Sequence, residues 1–299
     1  MSNTKMAQQM SQAPGFIAAL DQSGGSTPKA LGHYGIEPGA YSSEQDMFAL
    51  MHEMRVRIIK SPAFSDHKVI AAILFEKTMD GLVDTMPVPS YLWDKCGIVP
   101  FLKIDKGLEA EEHGVQLMKP IPDLNSLLSR AAKLGIYGTK ERSVIRLADK
   151  NGISEIIHQQ YQVAETVLSH QLVPIIEPEV LVQSPEKAEA ENILLEELTQ
   201  GLQKLPGQGK VILKVTIPEK ADLYAEFAKH PRVQRVVALS GGYSLDEACI
   251  KLKKNHNMIA SFSRALMEDL RASQSNTVFD GILKKVVNEI YDASVNKVE

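Results

Sequence analysis

Cysteine is scarce in this chain, and what there is lacks pattern. Cys96 and Cys249 are its two cysteines among 299 residues. They form no CxxC or other ligand spacing, which argues against a disulfide-built secreted fold. The eight histidines form no HxH or HExxH spacing, so no zinc site is expected. No stretch approaches roughly 20 apolar residues, the length that spans a bilayer. The N-terminal MSNTKMAQQMSQAPG is polar, without the apolar run of a signal peptide. Neither sign of charge dominates: 33 Lys and Arg stand against 37 Asp and Glu, a net of −4. That balance gives no electrostatic reason to expect nucleic acid or an acidic membrane as partner. The expectation is a soluble cytoplasmic protein.

What is present in quantity is apolar sequence, 44% of the chain. It falls into short runs: GFIAALD (15–21), KVIAAILFE (68–76), IVPFLKID (98–105), GIYGTK (135–140), LVPIIEPE (172–179), KVILKVTI (210–217), VQRVVALS (233–240) and NMIASFSR (257–264). Continuous runs of this length read as parallel strands buried on both faces. Helix signals lie between them. Ser42 and Gln45 have capping-box spacing, as do Ser244 and Glu247. Segment 123–134 puts Leu124, Leu127, Leu128 and Ala131 on one face, with Gly135 as a stop. Ile153, Ile157, Ala164 and Leu168 repeat at helical spacing, and Ser184-Pro185 reads as a helix start. Val278, Ile282, Val286 and Ile290 mark a C-terminal amphipathic helix. The alternation predicts an α/β fold, a (β/α)8 TIM barrel, with an open doubly wound sheet as the alternative. Residues 1–299 read as a single domain with an N-terminal extension.

Polar residues interrupt or end these runs. Asp21 ends the first and Lys103 lies near the end of the third. Lys140 ends the fourth, with Arg142 just past it. Glu177 and Glu179 end the fifth, Lys214 lies inside the sixth, Ser240 ends the seventh and Arg264 the eighth. In a barrel the C-terminal strand ends share one mouth, where barrel enzymes build their sites. Lys214 sits in VILKVTI between apolar neighbours. A buried ammonium is costly, so it should shed its proton unless it gains a partner; a nearby cation such as Lys140 would push the same way. A neutral amine is what attack on a ketone requires. A purely structural ion pair with Glu177 explains the same lysine equally well. Glu177 and Glu179, two apart on a strand, share one face. They could hold one proton between them for acid/base work, or one of them could simply pair with Lys214 or Lys140. Ser240-Gly241-Gly242 with Ser263-Arg264 occupies the strand slots where barrels bind phosphate. The loop Ser23-Gly24-Gly25-Ser26 could hold a second phosphate or form an ordinary turn. His33, His52, His113 and the methionines of 47–54 read as surface or core residues.

At these residues the chain resembles the class I fructose-bisphosphate aldolases. The segments AALDQSGGS, ILFEKT, FLKIDKG, GTKERS, VPIIEPE, VILKVTIP, LSGGYS and FSRAL occur in the family's order from about residue 15 to 270. The start DQSGGSTPKAL is similar to the shorter bacterial branch. The resemblance implies a Schiff base on Lys214 and an acid/base role for Glu177. It implies proton transfer at the substrate's C4 hydroxyl by Asp21, and a charge network with Lys140 and Glu179. Lys103 and Arg142 would line the cleft. Ser240, Gly241 and Arg264 would hold one phosphate, with Ser23 and Ser26 near the other. The substrate would be a phosphosugar, with no cofactor and no metal, and the enzyme a possible homo-oligomer.

Three departures from the animal members stand out. The sequence shows no tail bearing a C-terminal tyrosine, and its nearest tyrosine, Tyr291, falls in a predicted helix. Gln22 replaces the glutamate after the catalytic aspartate. Ser263 stands where those members have a glycine. The rival readings are another Schiff-base barrel, such as a transaldolase, and a barrel kept only for binding.

Overall fold

Eight parallel strands close on one another, each grown from one of the apolar runs. They are β1 (Phe16–Leu20), β2 (Val69–Leu74), β3 (Val99–Lys103), β4 (Gly138–Ile145), β5 (Val173–Val180), β6 (Val211–Thr216), β7 (Val233–Leu239) and β8 (Met258–Phe262). Every strand pairs in parallel with the next, and β8 pairs back with β1, so the ring has no open edge. This computed structural model describes residues 2–65 and 67–298; Met1, Asp66 and Glu299 lie outside the described residues. The open doubly wound alternative is thereby set aside.

Helices α1 (Ser2–Gln12), α2 (Ser26–His33), α3 (Glu44–Lys60), α4 (Val88–Cys96), α5 (Leu124–Lys133), α6 (Lys150–Ser169), α7 (Lys187–Lys204), α8 (Leu245–Lys253) and α9 (Asn276–Val295) surround the ring or close its floor. Between β6 and β7 the chain forms only a 3-10 turn, Ala225–Lys229. None of these helices is long and apolar enough to cross a membrane.

Side chains alternate along each strand, and the two faces make two separate apolar clusters. Ile17, Ala19, Ile73, Phe101, Ile175, Ile212, Val237 and Ile259 fill the barrel. Their neighbours Ala18, Leu20, Leu74, Leu102, Ile176, Leu213 and Ala260 face the helices. Gly138 opens β4 because a Cβ there would lie 2.1 Å from the Val173 carbonyl oxygen and 2.6 Å from the Phe101 ring.

The floor is closed by α1, which the sequence shows only as a polar extension. Met6 and Met10, one helical turn apart, join the interior cluster. The Gln9 amide donates to the Ile70 and Gly97 carbonyls at 2.8 and 2.7 Å, at the N-terminal ends of β2 and β3. On the same side, Lys297 Nζ donates to the carbonyls of Leu252, Met258 and Ala293.

Several expected boundaries move. Strand β4 runs to Ile145, so Lys140 and Arg142 lie within it rather than at or past its end. Lys140 and Arg142 find carboxylate partners inside the barrel, which lets the strand continue through them. The cap of α3 is Ser43, which accepts from the Asp46 amide at 3.1 Å; Ser42 instead donates to the Asp46 carboxylate. The helix after Ser184-Pro185 begins at Lys187. In α9 the buried stripe is Phe279, Leu283, Val286, Val287 and Ile290, and Val278 is 51% exposed.

Met10 is fully enclosed. Met10→Ala should cost about 2–5 kcal/mol, the usual range for emptying a core site. Urea unfolding should show the lower midpoint while turnover by the folded enzyme stays near normal.

Candidate active site

The apolar filling stops one layer below the C-terminal mouth, and charge replaces it. Strand parity dictates which residues turn inward. Lys214 is two residues past Ile212, Glu177 and Glu179 follow Ile175 at the same spacing, and Lys103 follows Phe101. Lys140 lies opposite Ile175, Lys103 opposite Lys140, and Arg142 opposite Glu177. Asp21 follows the last residue of β1.

Glu177 sits between two ammonium groups. Its Oε1 is 3.0 Å from Lys214 Nζ and its Oε2 is 3.0 Å from Lys140 Nζ. Lys140 also reaches Asp21 Oδ2 at 2.6 Å. Lys140, Lys214, Glu177 and Asp21 are all buried. Burial alone would raise the Asp21 carboxyl, but Lys140, Lys214 and Lys103 together hold it well below the carboxylate range. Burial opposes charge on Lys140 too, yet Asp21, Glu177 and Asp105 keep it above the usual lysine range. Glu177 ends below its ordinary value, because Lys140 and Lys214 outweigh desolvation. Both carboxylates are therefore ionised, and Glu177 gives the buried Lys214 an ion-pair partner.

Glu179 pairs with Arg142 instead, its Oε2 lying 2.5 Å from NH1. The two glutamates thus have different ion-pair partners, Arg142 for Glu179 and the two lysines for Glu177. Lys103 Nζ is 2.6 Å from Asp105 Oδ1. Asp105 went unnoticed in the sequence, although Leu-Lys-Ile-Asp places it two residues past Lys103. Lys106 also lines the cleft, tied to Glu76 at 2.8 Å.

The mouth is a cavity of about 670 Å³ that takes in every candidate residue, within the range of small-molecule sites. Ser240, Gly241 and Arg264 form its β7–β8 side. Gly241 has φ +62°, and a Cβ there would meet Val182 at 2.7 Å, so the turn requires glycine. Arg264 is exposed and makes no ion pair among the described residues. Ser23 and Ser26 lie in the loop after β1, where the Ser26 hydroxyl accepts from the Ser23 amide at 3.0 Å and donates to its carbonyl at 2.8 Å. A second cavity of about 460 Å³ lies behind Ser26 and Arg264 and holds none of the ion network. Tyr291 is remote: its ring meets Lys68, just before β2, at the floor. Among the described residues no three His, Cys, Asp or Glu side chains gather as a metal cluster.

One buried carboxyl lies behind the site. Glu141, on the outward face of β4 with Thr139 and Ser143, is fully enclosed, and neither of its oxygens has a hydrogen-bond partner. Gln160 on α6, which packs against this strand, is likewise buried and unpartnered. A charged run hid Glu141 in the sequence.

A closed barrel with an enclosed lysine–carboxylate cluster at its mouth defines a barrel enzyme of the amine-nucleophile class. The sequence profile of the class-I fructose-bisphosphate aldolases matches residues 3–220. A Porphyromonas gingivalis protein named fructose-bisphosphate aldolase class 1 is 53% identical over 293 residues, covering 98% of this chain and 99% of that protein. This chain belongs to the class I fructose-bisphosphate aldolase family. A solved Plasmodium falciparum fructose-bisphosphate aldolase, in complex with TRAP and a small-molecule inhibitor, shares the fold at a TM-score of 0.79 and 21% identity, covering 100% of this chain and 95% of that one. A Corynebacterium glutamicum structure follows at 0.57 and 12% identity, covering 97% and 92%.

Burial holds the Glu141 carboxyl well above its ordinary 4.5, helped by Asp105 and opposed by Lys140. An acid raised on folding gives stability that is full below the unfolded value and lost as pH climbs toward the folded one. Glu141→Gln should therefore raise the urea midpoint over the unsubstituted enzyme more at pH 8 than at pH 5.

Proposed function

We propose that this enzyme cleaves fructose 1,6-bisphosphate reversibly to dihydroxyacetone phosphate and glyceraldehyde 3-phosphate through an imine on Lys214. The observation that carries the reading is the placement of cations around the lysine. In the ring, β4 and β8 stand opposite each other and β6 lies midway. Arg142 on β4 and Arg264 after β8 therefore flank Lys214 from opposite sides, which suits a ketose with an anion at each end.

Glu177, 3.0 Å from the Lys214 amine, is within reach of its proton. The freed amine adds to the C2 ketone, and the carbinolamine loses water with Glu177 as acid to give a cationic iminium. Asp21 takes the proton of the C4 hydroxyl. The C3–C4 bond breaks, and its electron pair moves into the iminium to form an enamine. Glyceraldehyde 3-phosphate leaves. The enamine takes a proton at C3, and water releases dihydroxyacetone phosphate and the amine. Lys140, held cationic, keeps Asp21 and Glu177 ionised and apart, and Glu179 holds Arg142. Ser240, Gly241 and Arg264 grip the phosphate on C1. Lys103 and Arg142, with Ser23 and Ser26, face the phosphate on C6. The setting read for the enzyme is the cytoplasm.

Borohydride reduction with dihydroxyacetone phosphate should leave a stable adduct on Lys214, found by peptide mass spectrometry with EDTA present. Cleavage without any adduct would refute the imine. Lys214→Met should abolish cleavage and leave the fold intact. Arg264→Ala removes a charge-assisted contact and should raise KM roughly 10- to 100-fold; an unchanged KM would take Arg264 out of the phosphate site.

A further inference from the structure

The largest side chain fully closed off from solvent is not apolar. It is Arg55 of α3, 1% exposed. Its guanidinium makes no ion pair among the described residues. NH1 donates to Thr78 Oγ1 at 2.7 Å. NH2 donates to the Gln22 carbonyl at 2.5 Å and lies 3.4 Å from the Gln22 side-chain oxygen. A buried cation with only neutral acceptors is costly to keep, and a leucine or methionine would fill the same space. The one opposite charge it feels is that of Asp21.

Those contacts fall where the sheet ends. Leu20 is the last residue of β1 held by strand pairing. Asp21 follows it, and Gln22 follows Asp21. The Arg55 bond to the Gln22 carbonyl fixes the main chain on the far side of Asp21, so the aspartate is held between a strand and an anchor.

The Gln22 side chain carries this hold onward. Its amide nitrogen donates to Ser263 Oγ at 2.5 Å, and Ser263 directly precedes Arg264. An amide can accept from Arg55 and donate to Ser263 at once; an ionised glutamate can only accept. Gln22 and Ser263 are two of the positions where this chain departs from the animal pattern, and here they bond to each other.

We propose that Arg55 is a positioning residue for proton transfer at Asp21, and that Gln22 extends its hold to Ser263, fixing Asp21 relative to Arg264. The inference rests on the aldolase reading and deepens it. Displacing a reacting group by about 1 Å can cost about 100-fold in rate.

Two activities of the same site separate this role from general support of the fold. Cleavage of the bisphosphate needs the C4 hydroxyl proton removed. Exchange of the C3 hydrogen of dihydroxyacetone phosphate with deuterated water needs the Lys214 imine but has no C4 hydroxyl to deprotonate. In Arg55→Met, kcat for cleavage should fall roughly 10- to 100-fold while exchange and the borohydride adduct stay within about twofold. Arg55→Lys should recover part of the loss. Gln22→Leu leaves the guanidinium and its carbonyl bond in place and gives the second test if Arg55→Met does not fold. It should lower kcat for cleavage, again sparing exchange at saturating dihydroxyacetone phosphate. Cleavage unchanged in these variants, or cleavage and exchange falling together, would overturn the proposal. An unsubstituted enzyme that forms no adduct would instead overturn the aldolase reading beneath it.

Discussion

Glu177 holds two ammonium groups at once, and the site is organised around that sharing. An unpaired lysine in the middle of a barrel would cost several kcal/mol. One carboxylate placed between Lys140 and Lys214, with Asp21 closing the circuit through Lys140, makes the burial of all four tolerable. The barrel is what allows it. Only strands that end together around a ring bring residues 21, 140, 177 and 214 into one layer, and the apolar layer below keeps water from entering from the floor. The arrangement also separates duties. Lys140 pairs with two carboxylates, Asp21 and the shared Glu177, and stays a fixed charge, whereas Lys214 has only the shared Glu177, which is within reach as a proton acceptor.

Most of this frame was legible in the residues because burial on both faces writes itself as continuous apolar sequence. Val-Ile-Leu around Lys214 and Pro-Ile-Ile before Glu177 mark their strands and their inward residues together. The reading failed where burial is not apolar. In Gly-Thr-Lys-Glu-Arg-Ser the expected strand stops at Lys140, yet all five polar residues lie within β4, because Lys140 and Arg142 meet carboxylates inside while Thr139, Glu141 and Ser143 are enclosed behind. Helix α1 was missed for the opposite reason. Two methionines amid glutamines and serines are too thin a stripe to announce a helix, and it is the open floor of the barrel that gives them something to cover.

The pairing of Glu177 with Glu179 shows the same limit on a smaller scale. Their spacing correctly puts both side chains on the inner face. Whether they share a proton depends on what stands across from them, and that is set by register. Arg142 lies opposite Glu177 on the neighbouring strand yet bonds Glu179, which leaves Glu177 to the lysines. Arg55 lies further still from the reach of sequence: nothing in Met-Arg-Val-Arg distinguishes an arginine that ends under the first strand from one that ends in water.

The buried ion cluster has a thermal consequence. Charged groups are hydrated less favourably as temperature rises, so the penalty for enclosing Lys140, Asp21, Glu177 and Lys214 shrinks on heating while apolar burial gains little. The ion layer at the mouth is therefore penalised less in a warm molecule than in a cold one, a relief that an apolar plug in the same place would not have.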